Sequence, residues 1–290
     1  MGNNIALAKN YTDLLDEVYK KASVTSDLVS DSKLIKAGAN VNEIVYPQID
    51  VSGLGDYDRN SGYTDGSVNL VWKTAKFNYD RGTKISVDSM DDEETFDISF
   101  GVAGAALQRT KVAPEADAFT FATLSGLSGI SIATPATYAD ATEFLAALIV
   151  ATNKMDEDEV PEEGRILYAT PTLINGVMAL DTTKSREVLN KFTAVKKVPQ
   201  SRFYTAIDLK DGKTSGEEAG HYAKAENGKD INFMIVEKSA VIKWDKHTAS
   251  DVIAPENNPN ADAYISKYRK YGIVDAYENK RAGIYLSHKA

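Results

Sequence analysis

The sequence predicts an α+β protein with one long helix, a long β-hairpin before it, and a mixed region that ends in strands after it. The helix is predicted over residues 89–125, where apolar side chains recur at helical spacing. The hairpin is predicted over residues 42–87, where two runs of strand-forming residues flank a glycine-rich tip. Beyond residue 126, short apolar runs alternate with capped helical segments. These three regions define the predicted fold class.

The first 40 residues are predicted to form an N-terminal arm. A short amphipathic helix is indicated by Tyr11, Leu14, Leu15, Val18 and Tyr19. A helix of about a dozen residues is marginal alone in water, so we expect the arm to dock on another surface.

The predicted hairpin, like the arm, is expected to be unstable unless it packs against another surface. Its outward run is NEIVYPQID, and its return run, from Val68, supplies Leu70, Trp72 and Phe77. A lone two-stranded hairpin is marginally stable at best. We therefore expect arm and hairpin to become ordered against neighbouring subunits.

The long helix is predicted to begin at Ser89, a good N-cap, with Asp92 in the capping-box position. One face carries Phe96, Phe100, Ala103 and Leu107. Pro114 interrupts the pattern, and two outcomes are open, a kink or a restart with proline at the first helical position. At 1.5 Å per residue, the helix would span about 50 Å, so either the fold or other subunits must surround it.

The region 127–236 is predicted to be a compact α/β unit. Thr137 and Asp140 form a capping pair for a helix that ends near Met155, and Thr170 caps a second helix that begins at Pro171. Strands are predicted at 166–168, at 203–207 and at 231–236, with a loop at 211–220. Two further strands, at 240–244 and 251–256, open a final strand-rich part that contains Tyr264, Tyr268, Tyr271, Tyr277 and Tyr285.

Composition excludes several classes of function. The chain has 290 residues, 33 basic and 42 acidic, with a net charge of −9. General nucleic-acid binding needs a basic surface, which a chain of this net charge does not indicate. The charge suits a protein that encloses nucleic acid better than one that binds it at a specific sequence. There are no cysteines, which excludes disulfides and thiolate chemistry. No apolar run reaches the length of a membrane span, and MGNNIALAKN lacks a signal-peptide pattern, so synthesis in a cytoplasm is expected.

Two glycine-containing stretches suggest chemistry only weakly. Gly53 and Gly55 resemble the start of a dinucleotide fingerprint, but Asp58 stands where the third glycine is needed. A hairpin tip is the better interpretation. Ser128 in GLSG lacks the extra residue of a nucleophile elbow, so a linker is preferred there.

Charged residues offer equally weak candidates. The turn at 156–163, with Asp156, Glu157, Asp158 and Glu159, could hold a hard cation but lacks a calcium-loop pattern. His221 and His247 have no nucleophile nearby in sequence. Glu217 and Glu218 could act as paired carboxylates, although a charged loop is the simpler interpretation. We therefore predict no catalytic, cofactor-binding or metal site, and a structural role.

The order of these parts resembles a known family, the major capsid proteins of tailed bacteriophages, with the Hong Kong 97-type fold. Local phrases are similar too: ISVDSMDDEETFDISFGVAGAALQRTKVAPEADAFTF at 85–121, KKVPQSRFYT at 196–205, and the closing stretch 241–288. The likeness covers nearly the whole chain and involves architecture rather than a catalytic signature.

The resemblance implies five parts for this chain. Residues 1–40 would be the N-terminal arm, 41–88 the E-loop hairpin, and 89–126 the spine helix of the peripheral domain. Residues 127–236 would be the axial domain, and 237–290 would be peripheral-domain strands that return to the axial domain. Lys73 and Lys76 lie on the hairpin, but no motif carries over the lysine–asparagine crosslink that some family members form.

The resemblance also implies a function. The chain would be a structural protein, not an enzyme, that assembles through pentamers and hexamers into an icosahedral shell around double-stranded DNA. Scaffolding, portal and decoration proteins would be further partners, with no membrane, and the protein would reside in the virion after assembly in the host cytoplasm. Two alternatives stay open: the shell of an encapsulin-type nanocompartment, and a soluble α/β enzyme without a recognisable motif.

Overall fold

The computed structural model describes residues 22–30, 36–37, 42–60, 62–90 and 104–290. Contacts divide the chain into two units. Asp31–Asn78 forms one, which we call the hairpin unit, and the remaining described residues form the other, which we call the body.

The hairpin unit contains β1 (Lys36–Ala37), β2 (Glu43–Val51) and β3 (Val68–Lys76). β2 and β3 pair antiparallel along their whole length, from Glu43 opposite Lys76 to Val51 opposite Val68. β1 adds a short antiparallel edge to β2. The predicted outward run and the first part of the return run therefore form a hairpin.

The second part of the predicted return run belongs to the body instead. After Phe77 and Asn78 the chain forms β4 (Tyr79–Asp88), which pairs antiparallel with β12 (Ala263–Ala276). The predicted hairpin thus ends near residue 76 rather than residue 87. Alternation of apolar residues marks a strand but does not say which strand will pair with it, and the partner here lies almost two hundred residues further on.

The long helix continues through Pro114. Residues 104–107 are α-helical, Gln108–Val112 form a π-helical turn, and α1 follows at Ala113–Ser125. Proline lacks the amide that would complete the preceding turn, and the wider π turn lies where that hydrogen bond is missing. The backbone at Val112 and Ala113 is right-handed helical, so the helix does not restart at the proline. Residues 91–103, with Phe96, Phe100 and Ala103, lie outside the described residues.

A five-stranded mixed sheet forms the centre of the body. In spatial order it contains β5 (Ser131–Ile132), β13 (Ile284–His288), β10 (Ile231–Glu237), β6 (Arg165–Ala169) and β7 (Ala194–Lys197). Three helices accompany it: α2 (Ala141–Glu157), α3 (Pro171–Ala179) and α4 (Thr183–Asn190). Asp140 caps α2 by accepting the Thr142 and Glu143 amides at 2.8 and 2.9 Å.

Side chains on this sheet alternate between two cores, as the two-residue period of a strand requires. One face packs against Phe121 and Leu124 of α1. The opposite face packs against Phe144 and Leu148 of α2 together with α3 and α4. The strand residues of this sheet on the α1 side are Ile166, Tyr168, Ile231, Met234, Val236, Ile284 and Leu286, and a bulge between Ile231 and Phe233 puts those two residues on opposite faces. Those on the other side are Leu167, Ala169, Phe233, Ile235 and Tyr285.

A second sheet of the body contains β11 (Val241–Ile253), β12 and β4, in that spatial order. β11 is continuous from Val241 to Ile253, so the two strands predicted at 240–244 and 251–256 are one, bulged between Asp245 and His247. The strand predicted at 203–207 is shorter. Only Ile207–Leu209 forms β8, paired with β9 (Tyr222–Lys224), while Phe203 follows a 3-10 turn.

Part of the predicted arm lies on the body. Residues 22–30 are described, and Leu28 is fully buried beside Phe121 and Leu124 of α1. This segment therefore packs on its own chain, whereas the sequence led us to expect that the arm becomes ordered against neighbouring subunits. The reason is a set of hydrogen bonds to Asp117, described below. Residues 1–21, with the predicted amphipathic helix, lie outside the described residues.

None of the helices among the described residues is long and apolar enough to cross a membrane.

Candidate functional site

The hairpin unit carries an apolar surface on one side of its sheet. Residues opposite each other in β2 and β3 point to the same side, so the register places three apolar pairs together. These pairs are Pro47 with Trp72, Ile49 with Leu70, and Val51 with Val68. We call this set of six residues the apolar hairpin face.

The opposite side of the same strands is mostly polar. There Gln48 pairs with Val71, and Asp50 pairs with Asn69. The outer half of the hairpin is therefore amphipathic, with the strand period of two.

The apolar hairpin face is largely open to solvent. Ile49 is 61% exposed, Val68 70% and Trp72 46%. A contiguous exposed apolar surface of this kind on a small sheet is typical of a place where another chain binds, because such a sheet is only marginally stable by itself. This surface is the strongest candidate for a functional site in the chain.

In the body, Glu115 of α1 holds the beginning of β4. Arg81 donates two hydrogen bonds to this carboxylate, from Nε to Oε1 at 2.7 Å and from Nη2 to Oε2 at 3.2 Å, so the contact is bidentate. Tyr79 donates its hydroxyl at 3.3 Å. Burial pushes the pKa of Glu115 up, but its contacts with His221 and Arg81 outweigh burial and hold that pKa below its usual value. The carboxylate is therefore charged at neutral pH.

Arg81 also closes the loop predicted at 211–220. Its Nη2 donates to the carbonyl oxygens of Lys210 and His221, at 2.8 and 3.3 Å, which flank that loop. A cleft of about 480 Å³ lies between this loop, β4 and α1. His221 is one of the residues that line this cleft. Its backbone is in the left-handed region, at φ 71°, which is uncommon for a residue other than glycine.

A buried lysine lies behind α1. Lys243 of β11 is almost fully buried and donates to the carbonyl oxygen and hydroxyl of Thr25, at 3.1 and 2.6 Å. Burial, together with the nearby charge of Lys270, lowers the pKa of Lys243 to about 8, although Asp117 and Asp245 act in the opposite direction. Keeping this ammonium charged therefore costs the folded state free energy at neutral pH.

This burial predicts that the protein becomes more stable as the pH rises from 8 to 10. The unfolded chain holds the Lys243 proton up to a pKa of 10.5, whereas the folded chain releases it near 8, so the unfolded state binds more protons in between. The free energy of unfolding of the unassembled protein should rise by up to about 3 kcal/mol across that range. Urea titrations at several pH values measure it. Lys243→Met should lose that rise, and an equal rise in the variant would assign it to other groups.

The glycine and serine candidates lie in connections between elements. Gly53, Gly55 and Asp58 lie in the connection between β2 and β3, where Asp58 and Gly62 exchange backbone hydrogen bonds at 3.2 and 2.7 Å. The element that follows is a strand, not the helix that a dinucleotide fingerprint needs. Ser128 accepts a hydrogen bond from Arg281 at 3.1 Å.

Four of the six acidic candidates have local partners. Asp156 pairs with the buried Arg165 at 2.6 Å, and Asp158 pairs with Lys154 one helical turn away. Glu217 pairs with Lys210 at 2.9 Å, whereas Glu218 accepts the Gly216 amide. Among the described residues, no three acidic or histidine side chains are grouped closely enough to hold a metal ion.

The remaining candidates are dispersed. His221 lines the cleft, and His247 is exposed at the bulge of β11. The C-terminal tyrosines mostly belong to strands, and two of them, Tyr268 and Tyr285, are buried. Lys73 lies opposite Tyr46, and Lys76 lies opposite Glu43. Sequence analysis missed Glu115 and Asp117 as important residues, although two acids inside an otherwise apolar stretch of α1 were a usable signal.

Comparison with known proteins gives matches in structure only. No protein-family profile and no curated protein matches the sequence. The virus-like particle from Pyrococcus furiosus aligns with a TM-score of 0.59 and 10% identity, over 97% of this chain and 99% of that one. The capsid of cyanophage P-SCSP1u aligns at 0.58 and 12%, over 93% and 88%. A protein of Mycobacterium phage Che8 aligns at 0.56 and 11%, over 91% and 90%.

The resemblance inferred from sequence is thereby confirmed at the level of the fold. The chain is α+β, and its fold is that of phage capsid proteins over about nine-tenths of its length. Identities near 10% show the fold and do not show the function.

Proposed function

We propose that this chain is the major capsid protein of a tailed phage, a subunit that assembles through pentamers and hexamers into an icosahedral shell around double-stranded DNA. The observation that carries the proposal is the apolar hairpin face, presented on a chain with the fold of phage capsid proteins. A monomeric protein would leave this surface in water. A shell gives each copy a neighbour to cover it.

The energetic requirement fits a shell of many copies. Burying apolar surface stabilises by roughly 25 cal/mol per Å², and obligate interfaces bury about 2,000 Å² or more. Association and ordering costs cancel much of this gain at each contact. A closed shell repeats the contact around every subunit, so that modest interfaces add up to a stable particle.

Within this proposal the parts of the chain take the roles that the resemblance implies. Residues 1–40 act as the N-terminal arm, and 41–88 act as the E-loop, with β4 at its base. Residues 89–126 supply the spine helix, 127–236 the axial domain, and 237–290 the returning strands of the peripheral domain. None of these roles needs a catalytic residue.

The charge of the chain fits a container for DNA. A net charge of −9 gives no general attraction to phosphates, so the DNA would be enclosed without recognition of its sequence. Scaffolding, portal and decoration proteins would be the other partners. Assembly would take place in the host cytoplasm, and the product would be part of the virion.

A second candidate is the shell of a protein nanocompartment. One of the similar structures is described as a virus-like particle, from Pyrococcus furiosus, and its similarity extends over nearly the whole of both chains. Both candidates use the same apolar hairpin face and differ in what the shell encloses.

The experiment is to purify the full chain and examine it by size-exclusion chromatography and electron microscopy. Closed particles, formed by the chain alone or with a scaffold from the same genome, are the expected result. Nuclease-protected double-stranded DNA in particles from the native source would support the phage shell, and a captured protein would support the nanocompartment. A monomer or dimer under all these conditions, with the hairpin ordered, would overturn both and favour a soluble enzyme.

A further inference from the structure

We propose that two carboxylates of α1, Glu115 and Asp117, form a double anchor that ties to α1 the two body segments flanking residues 31–78, and that closed particles require it. Residues 31–78 leave the body after Ser30 and return to it at Tyr79. Each carboxylate holds one of the two flanking segments. The role in particle closure rests on the proposed function, whereas the anchoring does not.

Asp117 holds the segment before the hairpin unit. It is fully buried, and its two oxygens accept the amides of Val24 and Thr25, each at 3.1 Å. The hydroxyls of Ser23 and Thr25 add bonds of 2.7 and 2.6 Å. Arg202 completes the set with an ion pair of 3.1 Å. Hydrogen bonds to a charged acceptor are the strong ones, and this carboxylate accepts five.

The same segment is held from its other side by β11. Lys243 bonds Thr25, as described above, and the Ser30 amide donates to the Lys243 carbonyl oxygen at 2.9 Å. The Ser30 hydroxyl donates to the Val241 carbonyl oxygen at 2.8 Å. The last residue before the hairpin unit is therefore tied to a strand of the body.

Glu115 holds the segment after the hairpin unit. Its contacts with Tyr79 and Arg81 involve the first and third residues of the returning chain. Arg269 adds a paired contact with Asp80, at 2.9 and 2.7 Å, from the neighbouring strand β12. Every one of the first three residues after the hairpin unit is thus bonded to the body.

The position of the two acids in α1 explains why one helix can hold both segments. Residues two apart in a helix point about 200° away from each other, so Glu115 and Asp117 reach opposite sides of the same rigid element. A buried charge pair is weak evidence for stability, since apolar residues of similar size often stabilise as much. A buried charge pair does, however, restrict its two partners to one relative arrangement. These carboxylates therefore fix the geometry of the two flanking segments within the body, and closure of a shell would depend on that geometry being the same in every subunit.

The test replaces Asp117 by Asn in the full chain, with Asp140→Asn as the matched control. Asp140 is also an acid with two amide partners, but it caps the exposed start of α2. Hydrogen exchange is measured on residues 22–30 before assembly, and particle yield is measured by electron microscopy. In D117N the amides of Val24 and Thr25 should exchange about 10- to 100-fold faster. Closed particles should fall at least about tenfold, while D140N stays close to wild type.

A milder variant covers the case in which D117N does not fold. Thr25→Val keeps the shape of the side chain and removes the hydroxyl that bonds both Asp117 and Lys243, while Asp117 keeps Arg202. It should shift exchange and yield in the same direction by a smaller factor.

The outcomes separate this inference from the proposed function. Unchanged exchange at residues 22–30 in both variants would refute the Asp117 half of the anchor, and with it the double anchor as proposed. Fast exchange with a normal yield of particles would refute its role in closure while the shell proposal stands. Absence of particles from the wild-type chain would overturn the shell proposal and the closure role together, and the exchange data would still decide whether the anchor exists.

Discussion

A chain with Leu70→Asp should fold as the wild type does and fail to form particles. Leu70 lies in the middle of the apolar hairpin face, opposite Ile49, and is half exposed in the isolated chain. A carboxylate there meets water before assembly, so the free energy of unfolding should change by no more than about 1 kcal/mol. In a shell the same carboxylate would be buried against an apolar surface of another copy, with no cation or hydrogen-bond donor to pair with it. Burying an unpaired charge in this way makes association less favourable by several kcal/mol at each contact.

The matched control is Val71→Asp. It introduces the same side chain one residue further along β3, on the polar side opposite Gln48, where the wild-type residue is comparably exposed. Circular dichroism should show both variants folded. Size-exclusion chromatography and electron microscopy should then show particles for Val71→Asp and only small species for Leu70→Asp.

Two results would contradict this expectation. Normal particles from the Leu70→Asp chain would show that the apolar hairpin face is not a contact between copies. Loss of particles in both variants alike would assign the effect to net charge on the hairpin rather than to the apolar side of it.

Local sequence signals were enough for most elements of the body. Asp140 caps α2, Pro171 opens α3, and the apolar run at 231–236 is a central strand, as predicted. In each case a cap, a proline or a short apolar run fixes the conformation through neighbours in sequence. The amphipathic α4 was missed, although the capping box of Thr182 and Ser185 marks its start.

Long-range pairing could not be predicted in the same way. β4 has the alternation of a hairpin strand, and only its register with β12 shows that it belongs to the body. The order of the segment around Thr25 was not predicted, because the carboxylate that accepts its hydrogen bonds lies 92 residues away. A single sequence shows that Asp117 interrupts an apolar helix but does not show which segment supplies the donors.

The sequence predicted the hairpin that carries the candidate site but not the apolar surface on it, because that surface depends on the pairing of two strands. The glycine-rich tip and its flanking strand formers indicated a hairpin that needs support. The apolar hairpin face itself depends on the register, because a shift of one residue would move Leu70 and Trp72 to the opposite side. The register brings Ile49 and Leu70 opposite each other, and that pairing turns scattered apolar residues into one surface.

Phe121→Ala should have a different effect, a large loss of stability with assembly preserved. Phe121 is fully buried between α1 and the central sheet, with ring centroids 5.2 Å from Tyr168 and 4.7 Å from Phe203 in edge-on contact. Truncation removes these contacts and leaves a cavity, which costs about 3–5 kcal/mol. Many domains are stable by only about 5–15 kcal/mol, so the urea midpoint should fall strongly at an unchanged slope.

The control for the core variant is Tyr63→Ala in the hairpin tip, where an aromatic ring is lost from an exposed position. Its urea midpoint should stay within error of the wild type. Below its transition the Phe121→Ala chain should still give particles of normal size, because it leaves the apolar hairpin face unchanged. A small loss of stability would show that α1 is not packed on the sheet as described. Loss of particles by a folded Phe121→Ala chain would show that assembly depends on the core, and that failure to assemble in Leu70→Asp cannot be assigned to the hairpin alone.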